Sequence, residues 1–384
     1  MTTVRQRGFT LIELMVALVV SSLLVGMILA IFSRMSLAYR GQQQIAGVQQ
    51  VLAAARATIE ADAKQTGFAM AQGFKIANDP THLYWPVRIT DSSTGPDKVA
   101  FFYADPSSQA VVGVAAVLAT WQANPSLVVD TTAGFAPNDL VVLTKVDTST
   151  NTPIAGEAGI EANIATYDAC VMQIAPGAVA ATTLTFSKLA PWGNATSNHC
   201  TLPTVGTVIY KFVARGYRID PRGGIGALQQ SMTGGLFNLD ATDGWADVAY
   251  GFTDIQTALQ VYDGDGIDTA DLDTDPLREW YSDGQQDSQT GTVLGSYPPL
   301  PPPVPLNAPL QISISLVART DRDVEGITTS DTPNLSTAPN LGNNTVGNHI
   351  SVSLPSATDP ALQGSRIYRY LTFQVDFRNM GIGR

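Results

Sequence analysis

The sequence predicts an α+β fold: one long N-terminal helix, membrane-spanning in its first half and amphipathic in its second, packed into a β-rich globular head. Three observations predict it. Residues 9–32 are mostly apolar and carry a single charge, Glu13. No proline interrupts Phe9 through Gln65, and beyond Ser33 apolar residues recur at helical spacing. From residue 68 onward, short β-branched and aromatic runs alternate with stretches of Gly, Asn, Asp, Ser and Thr, without the long helical periods of a doubly wound sheet.

The first element, residues 1–8, is a short leader carrying Arg5 and Arg7 and ending in Gly8. The apolar run at 9–32 follows, and at about 1.5 Å per helical residue it is long enough to cross a hydrocarbon core of ~30 Å. Basic residues ahead of it place the leader in the cytoplasm and the rest of the chain outside. An ordinary secretory signal needs a shorter apolar core and a small-residue cleavage site, and no such site follows cleanly here.

Residues 33–67 continue the helix beyond the bilayer. Ile45, Val48, Leu52, Ala55 and Ile59 recur at spacings of three and four, while Gln42, Gln43, Gln44, Gln49, Gln50, Arg56 and Glu60 occupy the other faces. Gly67 supplies the stop. The expected helix has roughly 55 to 60 residues and a length near 85 Å. Gly26 is its weak point in the apolar half.

The head, residues 68–384, is expected to be built from strands at 98–104, 140–146, 164–174, 182–188, 207–219, 245–262, 310–319 and 368–377. Tyr297 to Pro309, YPPLPPPVPLNAP, reads as polyproline II, either a stiff strap or a ligand for a proline-binding groove. Thr328 to Leu354 reads as a long polar surface loop.

Only two cysteines occur, Cys170 and Cys200. Both follow the membrane segment, so they face an oxidising compartment and are expected to bond to each other, with a contribution of about 3 kcal/mol from loop closure. The net charge of −11 becomes about −13 when Arg5 and Arg7 leave with the leader, and such acidity disfavours direct binding of nucleic acid through its phosphates.

Asp263, Asp265, Asp268 and Asp271 head an acidic run that continues through Asp273 and Asp275. Two readings stand. Oxygen ligands at spacings of two and three suit Ca²⁺, and the same Asp/Gly composition also makes a solvated turn. The pattern is not an EF-hand: counted from Asp263, Gly266 falls at the fourth position, and the sixth and twelfth are Asp268 and Thr274. Enzymatic chemistry is not expected. There is no G-x-S-x-G elbow, phosphate loop, H-E-x-x-H or cysteine paired with a base, and His82, His199 and His349 form no metal-binding spacing.

Gly8, Phe9, Thr10, Leu11, Ile12 and Glu13 match, position for position, the class III or prepilin signal of the type IV pilin superfamily, which this segment resembles. The resemblance implies that prepilin peptidase cuts between Gly8 and Phe9 and methylates the new amino terminus at Phe9. It also implies that Glu13, a costly intramembrane carboxylate, meets the amino terminus of a neighbouring subunit in a filament. The plain alternative is a carboxylate near the helix end that snorkels to the headgroups. Downstream, GFAPNDLVVLTK at 134–145, ALQVYDGDGIDTADLD at 258–273, ISISLVART at 312–320 and LTFQVDFRN at 371–379 occur in an order that resembles the PilW family of minor pilins. Arg319, Arg378 and Asn379 fall on its strand-ending positions.

That resemblance implies a structural minor pilin that helps initiate type IV pilus assembly at or near the filament tip. Its partners would be other minor pilins, the major pilin, prepilin peptidase and an inner-membrane assembly platform. It would begin as a single-pass inner-membrane protein with a periplasmic head and end in the surface pilus. The alternatives are the J-type minor pseudopilin of a type II secretion system and a pilus-mounted adhesin.

Overall fold

The computed structural model describes residues 10–70, 73–77, 79–90, 96–144, 152–153, 161–162, 169–177, 179–188, 200–221, 226–231, 244–262, 278–281, 308–320, 367–377 and 379. The leader, the Asp263 to Asp275 run, residues 297–307 of the proline stretch and the 328–354 loop lie outside them.

Helix α1 (Leu11–Gln65) runs unbroken for 55 residues. Thr10 caps it: its hydroxyl accepts the Glu13 backbone N–H while the Glu13 carboxylate accepts the Thr10 N–H, a capping box that satisfies two otherwise orphaned donors. The helix ends at Thr66, whose N–H turns back to the Ala63 carbonyl, and Gly67 follows at φ +79°. Val48, Leu52, Ala55, Ile59 and Ala63 form its buried stripe. Ile45, the first residue of the expected stripe, is half-buried, and Gly41 one turn before it is buried.

The strands, in chain order, are β1 (Phe74–Ile76), β2 (Asp79–Tyr84), β3 (Val87–Thr90), β4 (Lys98–Val111), β5 (Ser126–Val128), β6 (Leu140–Thr144), β7 (Thr152–Pro153), β8 (Glu161–Ala162) and β9 (Cys170–Gln173). They continue as β10 (Thr183–Thr185), β11 (Val208–Asp220), β12 (Ala227–Ser231), β13 (Trp245–Tyr250), β14 (Phe252–Tyr262), β15 (Arg278–Tyr281), β16 (Ala308–Arg319) and β17 (Tyr368–Asp376). A short helix α2 (Leu118–Ala123) precedes β5.

A large sheet runs in the order β13-β12-β11-β6-β9-β1-β2, with β4 also paired to β11 and β3 to β4. Its pairs are antiparallel except β1 with β9. A second, antiparallel sheet has the order β15-β14-β16-β17. The two sheets share one core with α1: Val99, Phe101 and Tyr217 from the first and Ile255, Ile314 and Phe373 from the second pack around the helix stripe. Asp97 ties them together, donating its N–H to the Ile255 carbonyl at 2.8 Å and accepting the Thr257 N–H at 2.7 Å.

Two expectations need correction. The single run at 245–262 is two strands in different sheets, because Gly251 at φ +95° turns the chain out of the large sheet and into the second. The proline stretch does not stay polyproline to its end, since Ala308 and Pro309 already pair with Tyr262 and Val261. Pro309 is tolerated there beside a register shift in the ladder.

Candidate assembly helix and its junction with the head

Among the described residues, the first half of α1 is not buried against any other part of the protein. Its large apolar side chains from Leu11 to Phe32 are 50% to 78% exposed, and the helix is long and apolar enough to cross a membrane. A soluble chain cannot leave so much apolar surface in water, so a membrane or neighbouring helices must cover it. At its start the Glu13 carboxylate is already engaged, accepting the Thr10 N–H and the Thr10 hydroxyl, each at 3.0 Å. Gly8 and Phe9 lie outside the described residues.

The second half is fastened to the head by a polar clamp. Asp62 continues the buried stripe three residues after Ile59, and its carboxylate accepts the Tyr103 hydroxyl of β4 at 2.7 Å. It also accepts the Tyr217 hydroxyl of β11 and the Gln230 amide of β12, the latter at 3.3 Å. Burial, reinforced by this carboxylate, pushes both tyrosine hydroxyls far above their usual pKa, so they stay protonated donors. A buried charge needs several such donors to offset lost hydration, and here three elements supply them. Asn379, the last residue of the expected Arg-Asn ending, donates its side-chain amide to the Lys64 and Gln65 carbonyls, covering orphan acceptors at the α1 terminus. Arg378 lies outside the described residues.

On the outer face, Glu60 accepts from Arg56 at 3.0 Å and from Lys64 at 2.6 Å, and these two cations hold its pKa below the usual range. The ladder is solvent-exposed and contributes little to stability. Arg56 also lies over the Phe373 ring, 5.5 Å from its centroid.

Cys170 and Cys200 are joined by a disulfide, linking β9 to the segment before β11, with Cα atoms 5.6 Å apart. Asp263, Asp265, Asp268 and Asp271 lie outside the described residues, as do His199 and His349. Among the described residues no group of three or more His, Cys, Asp or Glu side chains converges to hold a metal. Sequence reasoning missed Asp62. The signal was present, for an acid that extends an apolar stripe at i+3 is a buried carboxylate in need of partners.

An exposed apolar helix behind a basic leader, rooted by its second half in a β-rich head, is an architecture that fits a pilin-like subunit. Residues 4–29 match the prokaryotic N-terminal methylation motif. That signal fits membrane anchoring by α1, implies processing by prepilin peptidase and assembly with other pilins, and supports a type IV pilin-like or pseudopilin-like role. No curated protein and no solved structure matches the chain.

Proposed function

We propose that the chain is a structural minor pilin that takes part in initiating and assembling type IV pili, at or near the filament tip. The observation that carries this reading is the continuity of α1: the residues of the prepilin signal open a 55-residue helix whose apolar half is bare and whose other half is the core of the head. Such a helix is held in the membrane until neighbouring helices replace the lipid around it. The head packs strands of two sheets against the helix, which makes it bulky, and a bulky head is accommodated more readily at the end of a filament than within its shaft.

Cleavage between Gly8 and Phe9 frees the amino terminus, and Glu13 sets the register. In the unassembled subunit Thr10 satisfies the Glu13 carboxylate. In a filament the cationic amino terminus of an adjacent Phe9 takes that place, an ion pair that offsets the cost of burying both charges. The resemblance of the downstream strands to the PilW family supports the minor-pilin assignment over a pseudopilin.

The test is the amount of pilus sheared from cells lacking the chain, from cells with it restored, and from cells restored with Glu13→Ala. Loss of surface pili that the native chain rescues and the variant does not is the expected result. Normal pili together with retention of normally secreted proteins would overturn the pilus assignment in favour of the secretion pseudopilin.

A further inference from the structure

Natural sheets protect their outermost strands, because a row of unpaired N–H and C=O groups is a template for another chain. The edges of the two large sheets carry such protection in most places. β2 contains Pro80, and β3 is four residues long with Arg88 inside it. β13 is bulged at Val248 beside Asp247, and β15 is four residues long with Arg278 next to Glu279. β17, which ends the second sheet among the described residues, has none of these devices. Its nine residues, YRYLTFQVD, include no proline and no charge between Arg369 and Asp376, and its register on β16 runs from Asp376 opposite Gln311 to Tyr368 opposite Arg319 without a shift.

The register also fixes which backbone groups point outward. The Phe377 N–H donates to the Leu310 carbonyl and the Thr320 N–H to the Ile367 carbonyl, so the odd-numbered residues of β17 turn their amides toward β16. The N–H and C=O groups of Tyr370, Thr372 and Gln374 therefore point away from the sheet, at a spacing of about 6.8 Å. Among the described residues no backbone hydrogen bond reaches these three outward positions. The next carbonyl in the row, that of Tyr368, is covered by the Arg369 guanidinium at 2.9 Å. The core is unfinished along the same edge. Phe373 and Val375 are buried against α1, but Leu371 in the same row is only half-buried, and Tyr370 on the opposite face is 39% exposed.

Outward N–H and C=O pairs at strand spacing are complementary to one kind of partner, an extended backbone that presents the same groups in return. The side chains set its character. On the α1 side an added strand continues the row of Leu371, Phe373 and Val375, and on the other side it lies beside Tyr370, Thr372 and Gln374, so it alternates apolar residues with uncharged polar ones. A second copy does not fit. Joining two β17 edges antiparallel turns one molecule half a turn about the sheet normal, and α1, which lies against that sheet, would point its membrane half the opposite way.

We propose that β17 is an acceptor edge, onto which an extended segment of a different protein adds as a fifth strand of the second sheet through the backbone groups of Tyr370, Thr372 and Gln374. The inference goes beyond the pilin assignment, and its test does not depend on that assignment.

The test uses the full chain in phosphatidylcholine nanodiscs and a labelled peptide of the sequence QISISLVAR, the Gln311 to Arg319 segment that already pairs with β17 on its other side. The peptide is expected to bind, to slow hydrogen exchange at the Thr372 and Gln374 amides, and to lose binding when all its own amides are N-methylated. Gln374→Pro, and separately Tyr370→Pro, each delete one outward N–H and are expected to weaken binding about tenfold or more. Slow exchange at Phe373 and Val375 shows that β17 of a variant is still paired with β16. Absence of peptide binding to the native chain, equal binding of the N-methylated peptide, or unchanged binding by both proline variants would overturn the proposal. Self-association of the native chain that protects the same amides would overturn it in favour of a second copy.

Discussion

The carboxylate of Asp62, in the last turns of α1, accepts the hydroxyl of Tyr103, in the middle of β4, at 2.7 Å across 41 residues of sequence. The same carboxylate takes the hydroxyl of Tyr217 and the amide of Gln230, so one helical side chain engages three neighbouring strands of the large sheet. Apolar burial holds the helix against the sheets without direction. The clamp adds what burial lacks, a fixed rotation and height of the helix relative to the head, because hydrogen bonds fail when the geometry slips by a fraction of an ångström.

Asp62→Ala should therefore destabilise the head by about 2 to 4 kcal/mol, since it leaves two buried tyrosine hydroxyls and an amide without their acceptor. Tyr103→Phe should cost only about 1 kcal/mol, because the carboxylate keeps its other donors. Denaturant unfolding of the full chain in detergent measures both. An Asp62→Ala protein as stable as the native one would remove the clamp from the account.

Opening the Cys170–Cys200 bond should lower stability by about 3 kcal/mol through the loop entropy it restrains. The loss should fall on the lobe that contains both cysteines and leave the core around α1 ordered, because the two are separate hydrophobic clusters. Hydrogen exchange of the Cys170→Ser, Cys200→Ser protein is the measurement. Faster exchange should appear in β5, β9 and β10 and be absent from α1 and β16.

The helix was legible because its signals are local. The absence of proline, the spacing of Val48, Leu52, Ala55 and Ile59 and the stop at Gly67 are all read along one stretch of chain, and they account for Leu11–Gln65, whereas the Thr10 cap came only with the fold. Strands with enough β-branched residues were legible for the same reason, among them Val208–Asp220 and Ala308–Arg319. What escaped were short strands whose pattern comes from their neighbours. Ala227–Ser231 reads ALQQS, which carries no β signature, and it is a strand because β11 and β13 flank it. Phe74–Ile76 and Val87–Thr90 are too brief for alternation to register. The clamp was half legible: Asp62 continues a visible stripe, but Tyr217 and Gln230 stand 155 and 168 residues away, and only the folded chain brings them together.

Asp254 makes the head sensitive to acid in the direction opposite to ordinary carboxylates. It lies buried in β14, where the Gln256 amide donates to it at 3.0 Å, and burial raises its pKa from 3.8 to about 6 against that bond. Between those values the folded chain holds a proton that the unfolded chain has lost. Its contribution is thus fully present below about pH 4 and lost as pH rises through about 6. Asp254→Asn should flatten this part of the stability profile and raise stability at neutral pH by on the order of 2 kcal/mol. Thermal unfolding as a function of pH checks it, and a variant with the native profile would show that Asp254 titrates normally.

Two glycines should respond oppositely to the same substitution. At Gly226 an added Cβ would stand 2.0 Å from the Phe252 carbonyl oxygen and 3.3 Å from the Ile219 Cγ2. The first of these is backbone at the start of β14, and the Gly226 carbonyl itself accepts the Gly251 N–H at 2.9 Å, so neither side yields without pulling the two sheets apart. Gly226→Ala should cost about 2 kcal/mol or more, as overpacking against fixed atoms does. At Gly47, on α1 beside the cleft formed with Tyr250 and Arg319, an added Cβ meets nothing within 4 Å. Gly47→Ala there gains helix propensity without strain, about 0.5 to 1 kcal/mol, and should raise the melting temperature. Paired melting curves of the two variants decide the matter. If Gly226→Ala melted with the native protein, the close approach between Gly226 and the Phe252 carbonyl would not be part of the folded head.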